Sequence, residues 1–346
     1  MLYFRNDYGA GAHPAVLDAL IKTNLELTAG YGTDPYCQRA AETIRELCRR
    51  PDAAVHFLAG GTQVNKTAIG AFLRPWEAAV AAASGHICVH EAGAVEQNGH
   101  RILAVPSPDG KLTPAMLREA AGGPVNEHAV IPRLAYISNT TELGTVYTRE
   151  ELRGLREACG GLGLLLYCDG ARLGSAMDAG GTSFADYGDC CDAFTIGGTK
   201  NGLLFGEALV IVNPALQPFF RNCMKQQGAM LAKGRLLGVQ FEAILKDGLY
   251  LELATHANAL ARRLAAGLEA LGVPLLVPAE SNQVFPIFPD GAVEALGGQV
   301  EFEIERKIGA SRTCIRFVTA WHTAEADVDA LLALTERLAA AGVDFN

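Results

Sequence analysis

Short apolar runs alternate with amphipathic segments from the start of the chain to about residue 213. A run of roughly four to eight apolar residues between turn signals is typical of a buried strand. The pattern predicts strands at residues 54–58, 78–83, 87–90, 102–105, 134–138, 163–168, 193–196 and 207–212. It predicts helices at residues 14–28, 37–49, 63–73, 113–121 and 149–160. This alternation predicts an α/β fold with a mostly parallel sheet that helices cover on both faces.

The pattern changes after residue 213, where helical periodicity dominates. The remaining predicted elements are helices at residues 214–247, 250–271 and 323–341 and strands at residues 284–288 and 313–318. We therefore predict a large domain over residues 1–249 and a small C-terminal α+β domain over residues 250–346. We expect the first residues of the chain to pack against the small domain.

One lysine has unusual neighbours. Lys200 follows the apolar run 193–196 and two glycines, and Gly202 comes soon after it. This places the amine at the end of a buried strand, where loss of water lowers the pKa of a lysine and makes it a nucleophile. Such an amine suits a Schiff base with an aldehyde cofactor, and the chemistry suggests pyridoxal 5'-phosphate (PLP).

A PLP site also needs an anion at the pyridine nitrogen and a cradle for the phosphate. Asp169 ends an apolar run and is a candidate for the anion. Gly61 and Thr62 lie in a turn between the predicted strand 54–58 and the predicted helix 63–73, and the free amides at the start of that helix suit a phosphate. Each feature alone is also explained by a turn, a cap or a loop. Together with the lysine they favour a cofactor site.

Composition narrows the class of protein further. The chain has 346 residues, 49% of them hydrophobic, and a formal net charge of −9 without a basic cluster, which disfavours nucleic-acid binding. The nine cysteines lack the spacing of metal ligands, and several lie in apolar runs, as reduced thiols of a cytoplasmic protein do. No signal-peptide pattern is present, and no apolar run reaches the roughly 18 residues of a membrane span. We expect no metal, no nucleic acid and no membrane as partners.

Several motifs resemble those of fold-type I PLP-dependent enzymes, and in particular those of the threonine aldolase family in the β-eliminating lyase group. The runs that carry this resemblance are Gly60–Asn65, Gly85–Gly93, Ile137–Thr140, Asp169–Arg172, Gly197–Gly202 and Ile315–Thr319. They extend over nearly the whole chain. The resemblance implies an aspartate aminotransferase-like large domain with a small C-terminal domain, and PLP as the cofactor.

The resemblance also implies a role for each cofactor-site residue. Lys200 is expected to form the Schiff base with PLP, and Asp169 to pair with the pyridine nitrogen. His86 is expected to stack on the cofactor ring. Gly61 and Thr62 are expected to hold the phosphate.

Other residues are implied at the substrate and at a subunit interface. Arg172, which also contacts the cofactor, and Arg316 are expected to bind the substrate carboxylate, helped by Asn6 where the family usually has serine. Tyr31 is expected to reach the site of another subunit. Lys233 or Arg235 is expected to take the place of an arginine that reaches the partner's phosphate in many members of the family. The family therefore implies a homodimer or homotetramer with shared active sites.

The implied reaction is cleavage of a β-hydroxy-α-amino acid, such as threonine or allo-threonine, to glycine and an aldehyde. His86, His128 and a bound water are open candidates for the base that takes the hydroxyl proton. Other reactions on the same scaffold also remain open, namely β-elimination, racemisation and transamination. A non-catalytic protein of the same fold is the alternative of a different class.

Overall fold

The computed structural model describes residues 1–124 and 126–345. Within them, the helices α1 to α14 are Pro14–Lys22, Pro35–Cys48, Gly61–Phe72, His86–Val89, Ala94–Gln97, Pro114–Ala121, Arg149–Leu162, Leu173–Gly180, Phe184–Cys190, Phe220–Gln226, Arg235–Leu245, Leu249–Ala270, Asp290–Gly297 and Glu325–Ala340. The strands β1 to β13 are Leu2–Tyr3, Ala54–Leu58, Glu77–Ala82, Arg101–Val105, Ile131–Ser138, Leu165–Asp169, Ala193–Gly197, Glu207–Ile211, Gln283–Val284, Ile287–Pro289, Val300–Glu301, Glu303–Ile308 and Arg312–Val318. None of the described helices is long and apolar enough to cross a membrane.

A seven-stranded sheet in the order β2-β8-β7-β6-β5-β3-β4 forms the centre of the large domain. Only β8 runs against its neighbours, so the predicted mostly parallel sheet is confirmed. Successive residues of β5 belong to opposite apolar layers, with Leu134 and Tyr136 in one and Ala135 and Ile137 in the other. Helices cover both faces of the sheet. Because its strands other than β8 are parallel, their carboxyl ends lie at one common edge.

The small C-terminal domain is built on a short antiparallel sheet in the order β10-β13-β12, with β9 beside β13. The first residues join it as predicted, because β1 pairs with β11 and Phe4 is buried in the same core. Helix α12 belongs to both domains. Its early residues Tyr250 and Leu253 lie in a core of the large sheet, whereas Leu260 and Leu264 lie in the small one. The division at residues 249 and 250 stays a prediction.

Four predicted elements differ in the structure, one of them the strand 284–288, which is divided into β9 and β10. Residues 87–90 lie in the short helix α4 and its cap instead of a strand, because a brief apolar run fits either conformation. Helix α1 ends at Lys22 instead of residue 28, where the Thr23 hydroxyl donates to a carbonyl of the last turn. The predicted helix 214–247 is divided into α10 and α11, and Gly228 after α10 has a φ of +67°, which helices do not allow.

Candidate active site

A cleft of about 500 Å³ lies where β5, β6 and β7 end. This is the edge at which ligands bind in open parallel sheets. Part of the predicted site lines the cleft, namely Gly61, Thr62, His86, Asp169, Arg172, Lys200 and Arg316. The sequence pattern therefore brings these side chains to one place in the fold.

The Lys200 loop and the turn after Asp169 touch each other. The amide of Gly197 donates to the carbonyl of Gly170 at 2.9 Å, and the amide of Gly170 donates to the Thr195 hydroxyl at 2.7 Å. A Cβ on Gly197 would lie 2.3 Å from the Ala171 carbonyl oxygen, so this contact requires glycine. Burial, together with the positive charge of Arg172, lowers the pKa of the Lys200 amine. The amine is thus suited to nucleophilic chemistry.

Hydrogen bonds hold the Asp169 carboxylate in place. Its Oδ2 accepts from Asn65 Nδ2 at 2.7 Å and from the Tyr136 hydroxyl at 2.8 Å, and its Oδ1 accepts from the Ala171 amide at 2.9 Å. An ionised carboxylate has about four acceptor positions, so one is left for a ligand in the cleft. That position suits the N–H of a protonated pyridine ring.

A buried carboxylate orients His86. The imidazole Nδ1 donates to Glu91 Oε1 at 2.8 Å, and Asn65 Nδ2 donates to the same oxygen at 2.7 Å. His86, Glu91 and Asp169 are the one group of potential metal ligands found among the described residues, yet each has hydrogen-bond partners already. We interpret them as a network that fixes the ring. No role was predicted for Glu91, although it lies in the same motif as His86, the run Gly85–Gly93.

The start of α3 offers an open cradle for an anion. No side chain caps the helix at Gly60, and a Cβ on Gly60 or Gly61 would meet no atom within 4 Å. The amides of a first helical turn lack partners within the helix and attract negative charge. Gly61 and Thr62 line the cleft at this point, so the residues fit a phosphate.

Arg172 lies in the cleft, but its guanidinium is already paired. Its Nε lies 2.6 Å from Asp7 Oδ2 and its Nη2 lies 3.1 Å from Asp7 Oδ1; the Asp7 side chain is buried and the Arg172 side chain is 12% exposed. Asn282 Nδ2 donates to Asp7 as well, at 3.0 Å. Asp7 is a site residue that the sequence interpretation missed, although it follows Asn6 in the N-terminal motif. Asn6 itself donates to the Tyr3 hydroxyl at 2.9 Å and does not line the cleft.

Arg316 is a cation of the cleft that has unused hydrogen-bond capacity. It lies on β13, and its Nε is buried without a partner among the described residues. Burial, and the charge of Arg172 nearby, lower the pKa of its guanidinium. A buried donor of this kind is costly unless a ligand satisfies it. This geometry suits the carboxylate of a substrate.

Three predicted residues lie elsewhere. The His128 side chain is 86% exposed at a turn, so the structure does not bring it to the cleft of its own chain. Tyr31 lies beside a separate cavity of about 200 Å³, with Lys225 Nζ 4.6 Å from its ring centre. Lys233 is exposed just before α11. The roles of Tyr31 and Lys233 at a neighbouring subunit stay predictions.

Two glutamates in the cleft were not foreseen. Glu142 Oε1 accepts from the Ser138 hydroxyl at 2.7 Å and from the His86 amide at 2.8 Å. Glu207 begins β8, where it stands opposite Leu58 of β2 and Gly197 of β7. Burial raises the pKa of Glu207 to about 8. In the sequence, Glu142 resembles an ordinary loop residue and Glu207 resembles the polar start of a strand. The sequence pattern therefore indicated no role in the site for either residue.

Comparison with known proteins agrees with this geometry. The family model described as beta-eliminating lyase matches residues 4–290. A low specificity L-threonine aldolase from a Pseudomonas species is 34% identical over 335 residues, which are 95% of this chain and 96% of that protein. A low specificity L-threonine aldolase from Saccharomyces cerevisiae is 28% identical, over 81% of this chain and 73% of that protein.

Solved structures show the same relationship. A threonine aldolase from Leishmania major has a TM-score of 0.96 and 45% identity, covering 98% of this chain and 99% of its own. A serine palmitoyltransferase from Sphingomonas wittichii has a TM-score of 0.74 at 16% identity, covering 98% of this chain and 87% of its own, which is a likeness of fold alone. The predicted fold-type I architecture is confirmed. The chain belongs to the beta-eliminating lyase family and, within it, to the threonine aldolases.

Proposed function

We propose that this protein is a PLP-dependent carbon–carbon lyase that cleaves β-hydroxy-α-amino acids, such as threonine and allo-threonine, to glycine and an aldehyde. The observation that carries the proposal is one cleft in which three groups retain bonding capacity that no described residue is shown to fill. They are the amine of Lys200, one acceptor position on Asp169 and the buried Nε of Arg316. An aldehyde, a protonated ring nitrogen and a carboxylate are their chemical complements.

The cleft residues have the donors and acceptors that PLP requires. Lys200 would bond its aldehyde carbon, Asp169 its ring nitrogen, and Gly61 and Thr62 its phosphate. The His86 ring, oriented by Glu91, would cover its face. When bound, PLP supplies an electron sink for the pair released at the α-carbon.

The chain's own residues bind and orient the amino acid. Arg316 would hold the substrate carboxylate through charge-assisted hydrogen bonds, which limits rotation about the α-carbon. Arg172 adds positive charge to the same region, but the paired Asp7 restrains it and offsets part of that charge. We therefore assign carboxylate binding chiefly to Arg316, and to Arg172 the shaping of the cleft.

We also propose that the protein is a homodimer or homotetramer in the cytoplasm, with Tyr31 and Lys233 offered to the site of a neighbouring subunit. Both side chains are accessible and lie outside their own cleft, which supports a role between subunits. Sedimentation of the purified protein measures the assembly. A monomer that is fully active would contradict shared sites.

Product analysis tests the reaction. The PLP-loaded protein is incubated in turn with threonine, allo-threonine, phenylserine and serine. Glycine with an aldehyde in equal amounts supports the aldolase, whereas pyruvate and ammonia would indicate β-elimination. Lys200→Ala should abolish both turnover and the visible absorbance of the bound cofactor. Lys246→Ala, on an exposed turn, is the control and should retain both.

A further inference from the structure

We propose that Glu142 is the catalytic residue that takes the proton from the β-hydroxyl group of the substrate. The inference rests on the proposed aldolase function and adds the base that the sequence left open. Glu142 lines the same cleft as Lys200 and Arg316, and its side chain is half-buried. It is therefore within the space that a bound amino acid would occupy.

Two different elements anchor one oxygen of this carboxylate. Ser138, the last residue of β5, donates to Oε1 from its hydroxyl at 2.7 Å. The amide of His86, the first residue of α4, donates to the same oxygen at 2.8 Å. No hydrogen bond from another described residue reaches Oε2. One oxygen is thus held in place, and the other is left for a ligand in the cleft.

The surrounding charges suit a group that exchanges a proton. Burial raises the pKa of the Glu142 carboxyl, the hydrogen bond from Ser138 opposes that rise, and the charge of Asp169 adds to it. The positive charge of Arg172, in the turn after β6, also acts on this carboxylate, as does His86 on α4 when its ring is protonated. A general base works best when its pKa approaches the working pH. The raised pKa of the Glu142 carboxyl is a shift towards neutral pH.

Its position relative to His86 favours Glu142 over the two histidines. The His86 ring is held through Nδ1 by Glu91, and its backbone amide fixes Glu142 beside it. The carboxylate and the predicted cofactor-stacking ring therefore form one unit. His128 lies on an exposed turn and does not line the cleft. Glu142 lines the cleft, and one of its oxygens is anchored by two hydrogen bonds while the other can accept a proton.

The proposed step balances in protons and electrons. The hydroxyl proton passes to Glu142 Oε2, and the C–O bond of the substrate becomes the C=O bond of the aldehyde. The bond between the α- and β-carbons breaks, and its electron pair remains with the α-carbon. The α-carbon takes a proton from Lys200 and becomes that of glycine. Proton transfer through water from Glu142 to Lys200 restores both side chains.

Glu142→Gln is the direct test, because the amide oxygen of glutamine can accept the same two hydrogen bonds but cannot take a proton. Cleavage of phenylserine should slow by about 100- to 10,000-fold, the usual contribution of a general base. The exchange of the α-protons of glycine in D₂O, which involves no hydroxyl group, should be unchanged. Cofactor absorbance and the unfolding temperature of the cofactor-free protein should also be unchanged. Glu252→Gln, on the exposed face of α12, is the matched control.

Ser138→Ala gives a second, milder test that keeps the carboxylate. Loss of a hydrogen bond to the ionised form raises the pKa of a carboxyl group. The acidic limb of the pH profile of kcat/KM should therefore move to higher pH in Ser138→Ala and disappear in Glu142→Gln.

Four results would overturn the proposal. Equal losses of cleavage and glycine exchange in Glu142→Gln would mean that the residue only supports the site. Unchanged cleavage, or an acidic limb that persists, would assign the proton to His86 or to water. A wild-type protein that forms pyruvate and ammonia instead of glycine would overturn the aldolase function itself, and this role of Glu142 with it.

Discussion

Asp7 and Arg172 form a bidentate ion pair beside the cleft. The two residues lie 165 positions apart in the sequence. The pair joins the N-terminal segment, already held by β1 in the small domain, to the turn that follows β6. Asn282, just before β9, adds a third element to the same carboxylate. Three distant parts of the chain therefore meet at a hydrogen-bonded group behind Arg172, which lines the cleft.

We expect Asp7→Ala to destabilise the protein strongly. The change leaves the buried Arg172 guanidinium unpaired, and removal of one partner of a buried pair typically costs about 3–5 kcal/mol. The free energy of unfolding in urea measures the effect. Asp18→Ala, on the exposed face of α1, is the control and should change that free energy little. Equal values for the two variants would show that the pair contributes no stability.

Arg316→Ala should weaken substrate binding more than it slows the chemical step. Hydrogen bonds to charged groups contribute about 1.5–3 kcal/mol, so we expect KM to rise by roughly 10- to 100-fold. The affinity for glycine, which keeps the carboxylate, should fall by a similar factor. Arg306→Ala, exposed on the adjacent β12, should alter neither quantity. A normal KM in Arg316→Ala would exclude this residue from carboxylate binding.

Glu207 predicts a particular dependence of stability on pH. Burial raises the pKa of this acid to about 8 in the folded protein, far above its value in an unfolded chain. The folded state then holds a proton that the unfolded state releases, so its contribution to stability is full below the unfolded pKa. It is lost as the pH rises towards 8.

We therefore expect the stability of the cofactor-free wild type to fall relative to that of Glu207→Gln between about pH 5 and pH 8. Chemical unfolding at several pH values measures both curves. Glu280→Gln, which removes a carboxylate outside the cleft, should keep the wild-type slope. Identical slopes for wild type and Glu207→Gln would mean that Glu207 is ionised in the folded protein at neutral pH.

Mixed oligomers test whether active sites are shared. Lys200→Ala and Tyr31→Ala chains should each be nearly inactive alone. If Tyr31 serves the neighbouring subunit of a symmetric dimer, half of the sites in a mixed dimer combine two wild-type residues. Random co-assembly should then restore about a quarter of the wild-type activity. No recovery in verified mixed dimers would place Tyr31 outside the partner's site.

The local patterns of the sequence predicted much of this site, because its main parts follow buried strands. Strands β6 and β7 end in Asp169 and in the Lys200 loop, and parallel neighbours must bring such ends together. Asp7 could not be identified in this way, since its partner is distant in the chain. Glu142 gave no signal either, because its importance depends on donors from β5 and α4 that only the folded protein brings to it.

The shared helix α12 has a consequence for attempts to divide this protein. Its first turn carries the Tyr250 hydroxyl, which donates to the Gly197 carbonyl at 2.9 Å, and the Tyr250 carbonyl accepts from Asn201 Nδ2 at 2.7 Å. A gene split between codons 249 and 250 would give one fragment that lacks the two hydrogen bonds of Tyr250 to the Lys200 loop. The other fragment would expose Tyr250 and Leu253, which are buried in the whole protein. Each half is expected to become soluble only when it is co-expressed with the other.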